Sequence, residues 1–297
     1  MTDIRCKMSM QLQNKRRKRE NQMACRKAYR TQETKSKTTE TVQTATKVSV
    51  PAEKKAETTE HARILFGVDS RIPANDLLQN NIDLFEWAKR NKLYPNFWGR
   101  NIDGEEKLTK DEIKYLHKHG CKVAAIYSTD EAKETEAQGK IMAKKIDIIA
   151  LELGIPEGAA IFLEIGEKEK ITKNFLKGFS EGLLVEGYAP AFKANTDAKY
   201  TFDKEYSRGM QTNRELFSQC LIWSVSPSLE EYDHITTSHL IHPDKWAPYA
   251  PSGITRNDIA VWQYGKECHP INDDMGKETT FNVNLVRKES VIIEKMF

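Results

Sequence analysis

The sequence predicts an α/β protein, a single (β/α)8 TIM-type barrel over residues 61–297 preceded by a disordered basic and polar tail over residues 1–60. Three observations carry this expectation. From Ile64 onward, short apolar runs alternate with stretches whose apolar residues recur at helical spacing, the pattern of a parallel sheet built from strand–helix units. Up to eight such strands fit into roughly 235 residues, near the ~250 typical of a closed barrel. Neither a GxGxxG nor a GxxxxGKS/T phosphate loop occurs, which weighs against an open, doubly wound nucleotide-binding sheet.

The tail is read from composition. Lys15-Arg16-Arg17-Lys18-Arg19 concentrates basic charge in the first thirty residues, and Thr31 to Glu60 is rich in Thr, Lys, Glu and Gln with almost no large apolar side chains. Such a segment buries too little surface to offset its ordering entropy. Its basic part offers a weak contact for nucleic acid or another anionic surface.

Ile64-Leu65-Phe66-Gly67-Val68-Asp69 is an apolar run ending in an acid, read as a first buried strand, and Leu77 to Asn91 follows as a helix. Tyr94 to Arg100 is a second strand. Thr109 to His119 is a helix, with Thr109 and Glu112 at capping-box spacing and Gly120 suited to its end. Lys122 to Tyr127, Ala159 to Ile165 and Tyr188 to Phe192 are further strands, separated by helices from about Glu134 to Leu153 and from Ile171 to Glu186. Leu221 to Val225 and Ile259 to Tyr264 are later strands, with another expected near Trp246 to Tyr249.

Charge and cysteine usage bound the function. With 46 Lys and Arg against 43 Asp and Glu, the net charge of +3 argues against a dedicated nucleic-acid binder. No run of eighteen apolar residues is present, so no membrane span is expected. The basic run passes into Glu20-Asn21-Gln22 where a secretory signal would need apolar residues, which leaves a cytoplasmic protein or one released by a non-classical or phage-type route. The five cysteines are odd in number and form no CxxC pair, so reduced structural thiols are expected. His234, His239 and His242 match no ligand spacing, and no metal or organic cofactor is expected. The sequence leaves the oligomeric state open.

Several strand ends carry a resemblance. Gly67-Val68-Asp69-Ser70 resembles the first-strand motif of family 25 glycoside hydrolases, the lysozyme group, and of a related glycoside-hydrolase-like domain of unknown function. Phe97-Trp98-Gly99-Arg100-Asn101, Leu108 to Glu112, Gly120 to Val123, Ala125-Ile126-Tyr127-Ser128, Ala137-Gln138-Gly139 and Ala150 to Gly158 resemble that second group. Val261-Trp262-Gln263-Tyr264 and Phe281-Asn282-Val283-Asn284 resemble the final-strand WQY and DxN elements of the lysozyme group. The resemblance implies action on, or binding of, a cell-wall polysaccharide, peptidoglycan above all.

Barrel enzymes place chemistry at the C-terminal ends of strands, where Asp69 and Glu164 fall, with Asp130 read as a solvated loop acid. Glycoside hydrolysis usually needs one protonated carboxyl group and one carboxylate. Asp69 and Glu164 are therefore the candidate catalytic pair. The resemblance also implies an acid-x-acid motif at the fourth strand, its second acid the proton donor. Glu164 matches the first acid, Gly166 stands at the second, and Glu167 is the substitute next in line. That glycine sets a hydrolase against a non-catalytic carbohydrate-binding or interaction module on the same barrel. Sugar faces stack on flat side chains, so Trp98, Tyr127, Phe192, Trp223 and Trp262 are candidate binding residues, with Arg100 and Gln263 as hydrogen-bonding partners.

Overall fold

The computed structural model of the chain describes residues 64–78, 81–229, 246–268 and 280–297. The expected tail, Cys6, Cys25 and the three histidines lie outside the described residues. Eight strands close into a barrel in sequence order. They are β1 (Ile64–Asp69), β2 (Phe97–Asn101), β3 (Lys122–Tyr127), β4 (Ala160–Ile165), β5 (Ala189–Ala194), β6 (Leu221–Val225), β7 (Ile259–Cys268) and β8 (Phe281–Arg287). The connecting helices are α1 (Leu84–Arg90), α2 (Lys110–Lys118), α3 (Glu136–Leu153), α4 (Lys173–Glu186), α5 (Thr201–Thr212) and α6 (Arg214–Phe217), and α7 (Ile292–Lys295) follows β8. Among the described residues no helix is long and apolar enough to cross a membrane.

The predicted barrel is thus the observed one, with one departure in strand direction. Strands β1 to β7 run parallel, but β8 is antiparallel to both β7 and β1. An antiparallel neighbour needs no crossover helix, whereas a parallel eighth strand would. Asn282 and Asn284 consequently enter the barrel from the same end at which β1 finishes, and Asn282 lies directly across from Asp69.

Three other local expectations change. The strand expected near Trp246 is irregular chain, held by the Trp246 indole N–H donating to the Arg256 carbonyl at 2.8 Å. The first helix starts at Leu84 rather than Leu77, because Asp83 caps it by accepting from the Glu86 amide at 2.7 Å. Helix α5 was not foreseen, although Phe202, Tyr206 and Met210 bury one face at spacings of four. Elsewhere the sequence signals operate as expected. Thr109 caps α2 by accepting from the Glu112 amide, and Thr135 with Gln138 forms a capping box on α3.

Strand alternation sorts the side chains into two layers. Phe66, Trp98, Tyr127, Leu163, Phe192 and Trp262 face outward into the large core between barrel and helices. Phe97, Ile126, Phe162, Trp223, Val261 and Val286 fill the barrel, joined by Ile292 and Met296 around α7. Phe297 exchanges backbone hydrogen bonds with Val123 at 2.6 and 3.2 Å, drawing the C-terminal residues across the end where the parallel strands begin. Asp69, Glu164 and Lys193 stand toward the opposite end, in the last two residues of β1, β4 and β5.

Candidate functional site

The site stands on an aromatic floor inside the barrel. Phe97 and Phe162 meet the Trp223 ring edge-on, at centroid distances of 6.1 and 5.1 Å. Space for that indole comes from Gly99, where an added Cβ would lie 2.8 Å from Trp223 Cη2 and 2.7 Å from Asp69 Cβ. Any larger residue at position 99 would collide with the floor and with the acid above it.

Lys193 rises from β5 over this floor, its ammonium 5.1 Å from the Trp223 ring centroid. It lies 2.7 Å from Asp69 Oδ2 and 3.0 Å from Glu164 Oε1, so one lysine bridges the two predicted acids. Asn282 Nδ2 also donates to Asp69 Oδ2 at 2.8 Å, and Asn284 Nδ2 donates to Asp69 Oδ1 at 2.8 Å. The Asn284 carbonyl oxygen in turn accepts from the Trp223 indole at 2.9 Å. An indole can only donate and a carboxylate can only accept, which fixes the orientation of the Asn284 amide. The Ser128 hydroxyl donates to Glu164 Oε2.

Electrostatics follow from this bridge. The Lys193 charge, opposed by partial burial and helped by the Ser128 hydroxyl, holds the Glu164 carboxyl below its ordinary range. Burial works against the Lys193 ammonium, but the charges of Asp69 and Glu164 outweigh it and raise its pKa. Asp69 and Lys193 are buried, whereas 41% of the Glu164 side chain remains accessible at the opening. The arrangement therefore presents an ionised carboxylate to whatever enters.

The structure brings Asp69 and Glu164 together through Lys193, but separates the other candidates from the mouth. Trp98, Tyr127, Phe192 and Trp262 are at most 1% exposed and lie in the outer core. Trp98 donates to the Ser70 hydroxyl, Trp262 donates to the Ser226 carbonyl, and Phe192 packs between Phe179 and Phe202. No face of these rings is open to a sugar. Trp223 lies inside the barrel but is fully covered. Arg100 is also buried and structural. Its guanidinium bonds Glu112 Oε1 at 2.8 Å and donates to the carbonyls of Ser70, Arg71 and Glu106, fixing the loop after β1. Gln263 points inward beside Asn284, 2% exposed, with its side-chain carbonyl oxygen unpartnered.

The residues around the missing donor are occupied elsewhere. Gly166 is exposed, and a Cβ there would stand 3.2 Å from Glu169 Oε1. Glu169 pairs with Lys133 at 2.7 Å on one wall of a cleft of about 280 Å³ between the loops that follow β3 and β4. Glu167 accepts from Asn195 at 2.7 Å, and Asp130 is exposed. The described cysteines are buried, and burial pushes the thiols of Cys121, Cys220 and Cys268 up to about 12, which removes them as nucleophiles at neutral pH.

Four site residues escaped the sequence reading. Ser128, Asn282 and Asn284 lay within recognised motifs without a role. Lys193 had a signal of its own, a lysine two residues beyond Ala191 on the inward face of an otherwise apolar strand.

Residues 93–275 match the family described as the Rv2525c-like, glycoside hydrolase-like domain. The chain belongs to that family. The matched span of this Rv2525c-like domain includes Glu164, Lys193 and Gln263 and leaves Asp69, Asn282 and Asn284 outside. A crystal structure at 1.07 Å of an uncharacterized B. stearothermophilus protein is 26% identical, with a TM-score of 0.63 over 78% of this chain and 100% of that one. The autolysin LytC of Streptococcus pneumoniae, in complex with a synthetic peptidoglycan ligand, is 11% identical, with a TM-score of 0.43 over 75% of this chain and 46% of that one. The lysozyme of Streptomyces coelicolor is 11% identical, with a TM-score of 0.44 over 76% and 93% of the two chains. No curated protein matches the sequence.

Proposed function

We propose that residues 61–297 of this Rv2525c-like domain form a polysaccharide-binding barrel. In this reading a cell-wall glycan of the peptidoglycan type enters the charged mouth, and Glu164 holds the ligand rather than cleaving it. The observation that carries the proposal is the Lys193 bridge, at 2.7 Å from Asp69 and 3.0 Å from Glu164. A two-carboxylate glycosidase keeps one carboxyl group protonated at working pH. Here the shared ammonium favours the ionised form of Glu164. Asp69 is buried and accepts N–H donors from Lys193, Asn282 and Asn284 on its two oxygens. At position 166, the second acid of the lysozyme motif is a glycine.

A hydrolase remains the second reading, favoured by the accessibility of Glu164 at the end of β4. Purified peptidoglycan separates the two. Co-sedimentation of the wild type without release of reducing ends, with weaker co-sedimentation of Glu164→Gln, is the expected result. Reducing ends released by the wild type and not by Glu164→Gln would establish the hydrolase instead.

A further inference from the structure

The ligand can be narrowed by asking which hydrogen-bonding capacity the protein leaves unused in the mouth. An ammonium has three N–H donors. Lys193 directs its charge at Asp69, at Glu164 and at the Trp223 ring, so this buried cation is fully engaged by the protein. Asp69 takes N–H donors from Lys193, Asn282 and Asn284 and is buried, closed to a ligand. Glu164 differs. Each of its oxygens takes one protein donor, from Lys193 and from Ser128, which leaves acceptor capacity on both. Its side chain is 41% accessible. Gln263 Oε1 also lacks a protein partner, but that residue is 2% exposed and closed to a ligand.

The net charge points the same way. Two carboxylates share one buried ammonium, and the surplus negative charge falls at the open one. Arg71, exposed on the loop after β1, also bears on Glu164, but from solvent, where its influence is screened.

Resting on the carbohydrate-binding reading, we infer that the mouth selects a glycan carrying free amino groups, with a hexosamine ammonium at Glu164. N-acetylation removes the positive charge, leaves a single N–H, and adds an acceptor oxygen. That oxygen would face a mouth already lined with acceptors.

The test is calorimetric titration of the full chain with glucosamine oligomers and with N-acetylglucosamine oligomers of the same length, at low and high salt. The amine-bearing oligomer should bind at least about five-fold more tightly, in line with one partly exposed charge pair. Salt should shrink the difference. Glu164→Gln should abolish it, and Arg71→Ala should enlarge it, with near-UV circular dichroism checking that each variant is folded. Equal or tighter binding of the acetylated oligomer overturns this inference and leaves the carbohydrate-binding reading standing. A preference unchanged in Glu164→Gln overturns the assignment to that residue. Binding of neither oligomer, nor of peptidoglycan, overturns both.

Discussion

The ammonium of Lys193 stands 2.7 Å from the carboxylate of Asp69, and both groups are buried at the head of a floor of aromatic rings. Breaking a buried pair by removing one partner costs more than the pair contributes, because the other charge stays behind. Lys193→Met should therefore destabilise the barrel by about 3–5 kcal/mol, measured by denaturant unfolding. It should also let Glu164 titrate higher than in the wild type, which a carboxyl-detected NMR titration would follow.

The same cluster sets a pH dependence. The folded pKa of Glu164 lies below its unfolded value of about 4.3, so its contribution is complete above that pH and is lost as pH falls through the folded value. Lys193 is raised, so its contribution is complete below about 10.4 and is lost only further into alkali. The contribution of this pair to Tm should therefore be constant from about pH 5 to 10. Glu164→Gln should flatten the acid limb of the wild-type Tm profile.

Trp98 separates packing from recognition. Its indole is fully buried in the outer core, 5.7 Å from the Phe85 ring. Trp98→Ala should cost about 3–5 kcal/mol of stability. Ligand affinity of whatever fraction remains folded should be little changed, as read by titration well below the transition midpoint.

Arg100 makes a clamp that a simple cation cannot copy. It reaches Glu112 and three carbonyls from one planar group, while lysine offers a point charge. Arg100→Lys should cost about 2–3 kcal/mol in denaturant unfolding. Loss of the exposed Lys114–Asp111 pair through Lys114→Ala should stay within about 0.5 kcal/mol.

Gly166→Asp tests whether the missing motif acid is all that separates this chain from a hydrolase. An added Cβ would lie 3.2 Å from Glu169 Oε1, so the Glu169 side chain must give by a few tenths of an ångström, and the new carboxylate has no partner shaped to hold it in place. A displacement of about 1 Å can cost ~100-fold in rate. The variant should fold and release no reducing ends from peptidoglycan; release would show that the remaining geometry is already catalytic.

The barrel was legible because strand and helix periods are written in the apolar pattern, and strands such as Lys122–Tyr127 fall where that pattern places them. The site was half legible. Position at strand ends singles out Asp69 and Glu164, which the structure brings together through Lys193. Trp98, Tyr127, Phe192 and Trp262 lie in the outer core, because strand ends alone do not say which way a side chain points. Trp98 and Phe192 each neighbour an inward residue, Phe97 and Lys193, and therefore face out. Separating them needs the register between neighbouring strands, such as Asp69 beside Gly99 and Glu164 beside Lys193, which the structure supplies. Asn282 and Asn284 were hidden by direction, since an antiparallel last strand brings its beginning to the mouth.

That last strand also sets a timetable. Asp69 finds its partners Asn282 and Asn284 213 and 215 positions further along the chain. At synthesis rates of about 5–20 residues per second, β1 waits roughly 10–40 s before the strand that closes the barrel beside it exists. Until then one edge of the first strand is unpaired and open to wrong neighbours. Contacts of such separation also slow refolding from denaturant. Asn282 and Asn284 are thus the last partners Asp69 gains, and the strand that carries them is the one that shuts the ring.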